Sequence, residues 1–146
     1  MNSIQELCKR YRIKNYTINS DGTIDVNGSV HLYDESLTEL PLRFNKVTGY
    51  FDCSDNKLTS LKGSPRWIGG YFYCSRNKLT SLEFSPEYVG GVFSCEYNNL
   101  TDNYCDTEIG GSFYTSLEQD GLTEDNYKEF QKLYKRKQIL NQIFDI

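Results

Sequence analysis

The segment Ile68-Gly-Gly-Tyr-Phe-Tyr-Cys-Ser-Arg-Asn-Lys-Leu-Thr-Ser-Leu82 decides the fold, because copies of it recur along the chain. Residues 53–61 and 74–82 share the pattern Cys-Ser-x-Asn-Lys-Leu-Thr-Ser-Leu, and shorter copies lie on both sides. The five aligned segments start at Val26, Val47, Ile68, Val89 and Ile109, which are 21, 21, 21 and 20 residues apart. A fixed period of this length indicates a solenoid, in which stacked units share one core.

Each copy alternates residues at period two, as expected for a short strand with one buried face. The predicted inward positions of these strands are Val30, Leu32, Phe51, Cys53, Phe72, Cys74, Phe93, Cys95, Phe113 and Thr115. The turn after each strand adds inward leucines, which are Leu37, Leu40, Leu58, Leu61, Leu79, Leu82 and Leu100. One unit cannot bury its own apolar side, so we expect the units to stack.

An asparagine lies between strand and leucine at a constant register, as Asn56, Asn77 and Asn98. The chain bends there and offers no ladder of strand hydrogen bonds. We therefore expect each side-chain amide to satisfy backbone groups of neighbouring coils. The glycines before each strand are expected at corners where backbones approach closely. A phosphate-cradling role for them is disfavoured, because they recur with the repeat and no Lys-Ser/Thr follows.

The repeat resembles a known consensus. The run Phe51-x-Cys53-x-x-Asn56-x-Leu58-x-x-Leu61 is similar to the leucine-rich-repeat pattern Leu-x-Leu-x-x-Asn-x-Leu-x-x-Leu. Residues 72–82 repeat the match in full, 93–100 match its first half, and 30–40 match with Glu35 in place of asparagine. The short period is similar to the bacterial and bacteriophage type of leucine-rich repeat.

This resemblance implies a parallel β-sheet on a concave face and extended chain on the convex side. Pro65 and Pro86, at equal offsets in their copies, fit an extended convex segment, because proline fixes φ and lacks a backbone donor. The Cys-Ser-x-Asn-x-Leu-Thr-Ser-Leu motif also resembles sequences of small proteins of tailed phages. For function the implication is weak, because one fold hosts many activities.

The chain is predicted to be a single domain with three parts. Residues 1–25 form an N-terminal cap of a helix and a hairpin, residues 26–117 form about five solenoid coils, and residues 118–146 form a C-terminal capping helix. The hairpin is expected around Ser20-Asp21-Gly22. The last helix is expected from Thr123 to about Phe144, with residues such as Leu140 and Phe144 buried against the final coil.

Composition restricts the function classes. The net charge of −4 lacks the basic footprint of a nonspecific nucleic-acid binder. No apolar run approaches the roughly 20 residues of a membrane helix, and the first residues do not resemble a signal peptide. The five cysteines are odd in number and lack Cys-x-x-Cys spacing, which disfavours a secreted, disulfide-linked protein. We expect a cytoplasmic protein, located in the host cytoplasm if a phage encodes it.

No catalytic, metal or cofactor site is predicted. His31 is the only histidine, so every Ser-His-Asp or Cys-His arrangement depends on one residue of an end coil. The stacked Cys53, Cys74 and Cys95 form one apolar layer that offers a metal no fourth ligand. Their parallel side chains also suit a disulfide poorly. Packing of small side chains is the preferred interpretation.

The outward strand positions are rich in tyrosine. The nine residues predicted to bind a partner, here called the tyrosine face, are Tyr33, Tyr50, Asp52, Tyr71, Tyr73, Arg76, Glu96, Tyr97 and Tyr114. Tyrosine is enriched in interface hot spots and gives a large contact area at low entropy cost. The alternative is that these tyrosines only favour strands.

The leading hypothesis is therefore a non-enzymatic module that binds a protein. The slightly acidic character of the face suggests a partner with a basic patch. The phage resemblance implies an inhibitor or adaptor that acts on a host defence protein. One alternative is a homo-oligomeric structural protein. Another is a binder of a small ligand or nucleotide whose rings stack on Tyr71 and Tyr73.

Overall fold

A computed structural model describes residues 2–101, 104–115, 132, 136 and 139–144 of the 146-residue chain. The elements are α1 (Ile4–Arg10), β1 (Tyr16–Ile18), β2 (Ile24–Val26), β3 (Val30–His31), β4 (Phe44–Val47), β5 (Phe51–Asp52), β6 (Trp67–Ile68), β7 (Phe72–Tyr73), β8 (Tyr88–Val89), β9 (Phe93–Ser94), β10 (Glu108–Ile109) and β11 (Phe113–Tyr114). They form a β-solenoid of about four turns that rises one coil every 20 or 21 residues.

Two sheets run along the solenoid. The five-stranded sheet has the order β11-β9-β7-β5-β3, and all its strands are parallel. The six-stranded sheet has the order β1-β2-β4-β6-β8-β10, and its strands are parallel except for the β1–β2 hairpin. Apart from the N-terminal hairpin, the sequence predicted only the first sheet and extended chain on the convex side. The second sheet corrects that expectation, because the residues before each glycine corner also pair from coil to coil.

The core lies between the two sheets and the leucine turns. Every residue predicted to point inward is buried, and Phe51, Phe72 and Phe93 are fully buried. The phenylalanine rings form one column, with centroid distances of 6.0 Å between Phe51 and Phe72 and 4.9 Å between Phe72 and Phe93. Burial of a phenylalanine side chain contributes about 1.5–3 kcal/mol, so this column is a main source of stability.

The asparagine positions hold adjacent coils together where no strand exists. Asn77 accepts a hydrogen bond from the Leu58 N–H at 3.0 Å and donates to the carbonyl oxygens of Cys53 and Cys74 at 3.0 and 3.1 Å. Asn56 and Asn98 make the equivalent contacts in their own coils. Each amide therefore links its own coil to the preceding one.

The glycine corners bring the backbones of successive coils into direct contact. A Cβ atom built on Gly90 lies 2.3 Å from the carbonyl oxygen of Gly69, a distance that real Cβ atoms do not adopt. One residue further on, the Gly91 N–H donates to the Gly70 oxygen at 3.0 Å. The absence of a side chain is thus needed for the closely stacked corner.

The N-terminal residues lie against the first coil. Ser3 and Glu6 form a capping box at the start of α1, and Cys8 is fully buried. The hairpin predicted around Asp21 is present, with Tyr16 paired to Val26. Its second strand, β2, pairs with β4 and so joins the six-stranded sheet.

The predicted C-terminal helix from Thr123 to about Phe144 lies largely outside the described residues. Residues 139–144 are helical. Leu140 is 44% exposed and Phe144 is 63% exposed, so the prediction that these two side chains are buried is wrong. Among the described residues, no helix has both the length and the hydrophobicity that a bilayer-spanning segment requires.

Candidate functional site

The outward side of the five-stranded sheet carries the tyrosine face. Strand register aligns Asp52, Tyr73, Ser94 and Tyr114 in one row across the coils, because each residue pairs with the next. Their neighbours at the preceding phenylalanine positions all point into the core. The alternation of a strand thus turns this row away from the core, although Ser94 itself is buried beneath its neighbours.

Two tyrosines and one carboxylate lie side by side near the middle of the face, and Tyr114 lies two strands from Tyr73. The rings of Tyr71 and Tyr73 lie 5.7 Å apart with a tilt of 37°. Burial raises the pKa of the Tyr73 hydroxyl, and the nearby Tyr71, Asp52 and Tyr114 raise it further. Tyr71 and Tyr114 are 47% and 48% exposed, so solvent reaches much of both rings. We call Asp52, Tyr71, Tyr73 and Tyr114 the tyrosine cluster.

A second pair lies beside the cluster, at the start of the turn. The Arg76 guanidinium carbon lies 4.7 Å from the centre of the Tyr97 ring, which is a cation–π distance. Both residues have left-handed backbone, with φ of +55°. Asp55 holds the same position one coil earlier, with φ of +54°. This conformation turns the three side chains out of the strand rows.

Other residues of the predicted face are placed differently. Tyr50 turns towards His31, since its hydroxyl lies 3.0 Å from His31 Nε2 and the two rings meet edge to face at 5.0 Å. Tyr33 is exposed on the first coil, beside the end of α1. Glu96 is half-buried, and its backbone oxygen accepts from the Arg76 N–H at 2.9 Å. The structure therefore brings together part of the predicted set, not all of it.

A second aromatic row, on the six-stranded sheet, was missed by the sequence reasoning. Lys46, Trp67, Tyr88 and Glu108 follow one another in register. The Trp67 and Tyr88 rings stack at 5.5 Å with a tilt of 15°, and the Lys46 ammonium lies 4.8 Å from the Trp67 ring centre. The spacing of residues 46, 67 and 88 could have revealed this row.

The geometry of this row favours a structural role. Trp67 has Tyr88 against one face of its ring and the Lys46 ammonium over the ring as well. A planar ligand therefore has no fully free ring face on which to stack. Trp67 is only 37% exposed, consistent with rings that shield one another and the sheet beneath them.

The cysteines are unreactive by position. Cys53, Cys74 and Cys95 are free, fully buried thiols. Each lies within hydrogen-bonding distance of a carbonyl oxygen in the next coil, as in the 3.4 Å contact from Cys53 to Tyr73. Burial raises the pKa of all three thiols, so they stay protonated at neutral pH.

Within the part of the chain that the structure describes, no cluster of His, Cys, Asp and Glu has an arrangement that could hold a metal ion. The chain matches no protein-family model, and no characterised protein or solved structure is significantly similar to it.

Proposed function

We propose that the chain is a short-period leucine-rich-repeat protein that binds a protein partner through its tyrosine face. The repeat itself supports the assignment to this class. Phe72 and Cys74 take the two strand positions of the consensus, and Asn77 makes the coil-to-coil hydrogen bonds that an asparagine at this register can supply. The second sheet is a variation on that plan.

The tyrosine cluster is the single observation that carries the binding proposal. Tyr71 and Tyr73 offer two adjacent rings on the sheet, and Tyr114 adds a third ring two strands away. Their hydroxyls can still donate and accept hydrogen bonds. Rigid aromatic side chains lose little entropy on binding, so they act well as interface anchors. The cluster is not needed for the core, which the phenylalanine column fills from the opposite side of the same strands.

Charge on the face indicates the kind of partner. Asp52 lies within the cluster, and Asp55 and Glu96 lie beside it, against one arginine, Arg76. Arg76 is already engaged with Tyr97. A partner with lysine or arginine side chains around an apolar contact would match this pattern, and the charges would mainly increase specificity and the rate of association.

The biological setting belongs to the same proposal. The resemblance of the repeat motif to sequences of small phage proteins supports a phage-encoded inhibitor or adaptor that acts on a bacterial host protein, such as a defence factor. Five free thiols fit a reducing cytoplasm.

The test compares two double variants that each lose two aromatic rings. Tyr71→Ala/Tyr73→Ala removes half of the tyrosine cluster, whereas Trp67→Ala/Tyr88→Ala removes the stacked pair on the other sheet. Each folded, immobilised protein is incubated with extract of the host bacterium, and the retained proteins are quantified by mass spectrometry. We expect the amount of retained partner to fall at least tenfold for Tyr71→Ala/Tyr73→Ala and to stay unchanged for Trp67→Ala/Tyr88→Ala.

Equal recovery of the partner by wild type and Tyr71→Ala/Tyr73→Ala would contradict the proposal. Light scattering of the same proteins addresses the oligomeric alternative. If the wild type forms a dimer that this double variant abolishes, the tyrosine face is a self-association surface instead. Native mass spectrometry of the purified protein addresses the nucleotide alternative, because a retained ligand would add a defined mass.

A further inference from the structure

The five-stranded sheet ends at β3, and no strand of the described chain covers that edge. Its order runs from β11 to β3, whereas the N-terminal hairpin extends the other sheet beyond β2. In the first coil, β2 therefore has a neighbouring strand on both sides, whereas β3 has only β5 as a neighbour. An uncovered edge exposes backbone groups that can pair with another chain.

The boundaries between later coils show what a strand on β3 would meet. The N–H groups of Val30, Leu32 and Asp34 donate to carbonyl oxygens of the next coil at 2.9, 2.7 and 3.2 Å. The acceptors are the carbonyls of Tyr50, Asp52 and Ser54. The same pattern recurs one coil later, where Phe51, Cys53 and Asp55 donate to Tyr71, Tyr73 and Ser75.

The first coil has the same row of acceptors without donors. The residues equivalent to Tyr50, Asp52 and Ser54 are Ser29, His31 and Tyr33, since each lies 21 positions earlier. Among the described residues, no donor reaches the carbonyl oxygen of any of these three. These carbonyls lie at every second residue, as a paired strand requires.

A cleft of about 510 Å³ lies beside this edge, at the C-terminal end of α1. It is lined by Arg10, Tyr11, Arg12, His31, Tyr33 and Glu35. The volume is within the usual range of about 300–1,000 Å³ for ligand clefts. The cleft thus opens directly onto two of the residues that carry unpaired carbonyls.

Two arginines in this cleft have no acidic partner. Neither Arg10 nor Arg12 forms an ion pair with any residue that the structure describes, and the Arg10 guanidinium carbon lies 5.5 Å from the centre of the Tyr11 ring, a contact that leaves its N–H groups able to donate. The backbone of Arg12 is held in place, because its own N–H donates to Lys9 and the next residue, Ile13, is buried and donates to Cys8 at 2.8 Å. Glu35 is the one carboxylate that lines the cleft. The cleft is therefore basic in a chain of net charge −4.

We propose that β3 and this cleft dock an extended, acidic peptide segment of another protein, which adds to the five-stranded sheet as a sixth strand. Its alternate N–H groups donate to the carbonyls of Ser29, His31 and Tyr33. Within the solenoid, the N–H groups of each coil donate to the carbonyls of the next coil in the same way. Its carboxylates bind the guanidinium groups of Arg10 and Arg12, which suit carboxylates because they donate paired hydrogen bonds. Main-chain pairing supplies affinity and the arginines select acidic sequences.

This site shares Tyr33 with the tyrosine face but none of the residues of the tyrosine cluster, and it carries the opposite charge. It also differs from simple protection of a sheet edge, in which charged side chains deter pairing and no ligand is bound. A protective role needs no preference for carboxylates, whereas a docking role does. The experiment therefore measures whether the site prefers peptides that carry carboxylates.

The probe is a displayed library of random heptapeptides, selected against the full chain. We expect the wild type to enrich peptides with Asp or Glu at alternating positions. The best of them is then synthesised with a fluorophore and titrated by fluorescence anisotropy. Arg10→Gln/Arg12→Gln should weaken its binding at least tenfold. The matched control Lys57→Gln/Lys78→Gln removes two exposed charges elsewhere and should bind as the wild type does.

Backbone pairing is tested with the same peptide. N-methylation at the residues whose N–H groups face β3 should reduce affinity at least tenfold, and methylation of the alternate set should change it less than twofold. Any of three binding results would overturn the proposal: no peptide enriched above empty support, equal binding by Arg10→Gln/Arg12→Gln, or insensitivity to N-methylation. A wild-type dimer that the substitutions at Arg10 and Arg12 dissociate would replace the peptide with a second copy of the chain and would also overturn it.

Discussion

Phe84 occupies the same place in its coil as Gly63 in the preceding one, and both have left-handed backbone, with φ of +67° and +93°. A left-handed conformation costs a residue with a Cβ roughly 1–2 kcal/mol, whereas glycine adopts it freely. Phe84 is also 52% exposed, so its ring contributes little core packing in return. The third coil therefore carries local strain that the second coil avoids.

The first prediction exchanges these two residue types. Phe84→Gly should stabilise the protein by about 0.5–1 kcal/mol, because the relief of strain exceeds the added entropy of the unfolded chain. Gly63→Ala should destabilise it by about 1–2 kcal/mol, since a Cβ at this position also approaches the Leu42 oxygen at 2.9 Å. Urea unfolding measures both. A loss of stability in Phe84→Gly would show that the ring makes a compensating contact.

The second prediction concerns the asparagine that joins two coils. Asn77→Ala removes an acceptor for Leu58 and a donor to Cys53 and Cys74, in a site that is only 7% exposed. Unsatisfied buried groups cost about 1–3 kcal/mol each, so we expect a loss of about 3 kcal/mol in the free energy of unfolding. Chemical denaturation followed by circular dichroism gives the value.

Asn99→Ala is the matched control for Asn77→Ala. Asn99 lies on the following coil, its side chain is exposed, and its backbone N–H bond to Leu79 does not depend on the side chain. Its replacement should change stability by less than about 0.5 kcal/mol. If both asparagine variants unfold at the same denaturant concentration, the coil-to-coil amide bonds do not contribute as argued.

The 21-residue period was sufficient to predict the buried column and its register. Phe72 and Cys74 alternate with polar neighbours, and both lie in the core as the alternation requires. The role of Asn77 also followed from the sequence, because a bend without strand pairing leaves backbone groups to satisfy. These features were predictable because each recurs at constant spacing, so chance variation in one copy does not hide them.

The second sheet and the left-handed positions were not predictable in the same way. Strand β6 contains only Trp67 and Ile68, too few residues for alternation to be recognised. Asp55, Arg76 and Tyr97 have positive φ, yet none of them is glycine and their side chains share no property. Asp34 has the same conformation, with φ of +53°, although Glu35 follows it instead of asparagine, so the left-handed backbone belongs to the turn itself. The residue types at these positions therefore do not predict the positive φ.

The candidate site was predictable only in part for a related reason. Strand register places Asp52 and Tyr73 side by side, which a repeat alignment already shows. The pairing of Tyr50 with His31 depends on side-chain rotation. The proximity of Arg12 to Tyr33 depends on how α1 lies against the first coil, and no repeated spacing records that contact.

The third prediction concerns the glycine corner. Gly90→Ala should destabilise the protein by at least about 2 kcal/mol, because the new Cβ lies 2.3 Å from the Gly69 oxygen and the coils must separate to admit it. Thermal unfolding should show a correspondingly lower Tm. The exposed Thr80→Ala substitution, on the same solenoid, is the control and should leave Tm nearly unchanged. A Gly90→Ala protein of wild-type Tm would mean that the corner is more loosely stacked.

The last prediction follows from the three buried thiols. Burial raises the pKa of Cys53, Cys74 and Cys95 in the folded state, whereas an unfolded cysteine titrates near its ordinary pKa of about 9.0. Stability from each thiol is therefore fully present below that value. It is lost as the pH rises above it, because the unfolded chain then gains free energy by ionising and the folded chain does not.

The measurement is the free energy of unfolding between pH 8 and about 10 in the presence of a reductant. Each protected thiol contributes a downward slope of up to about 1.4 kcal/mol per pH unit at the upper end of that range. Cys74→Ala should reduce the slope by about that amount, and Ser75→Ala should not alter it. Native protein should also resist alkylation of all three thiols by iodoacetamide at pH 8. Rapid alkylation, or a slope unchanged in Cys74→Ala, would show that these side chains are reached by solvent, contrary to their position between stacked coils.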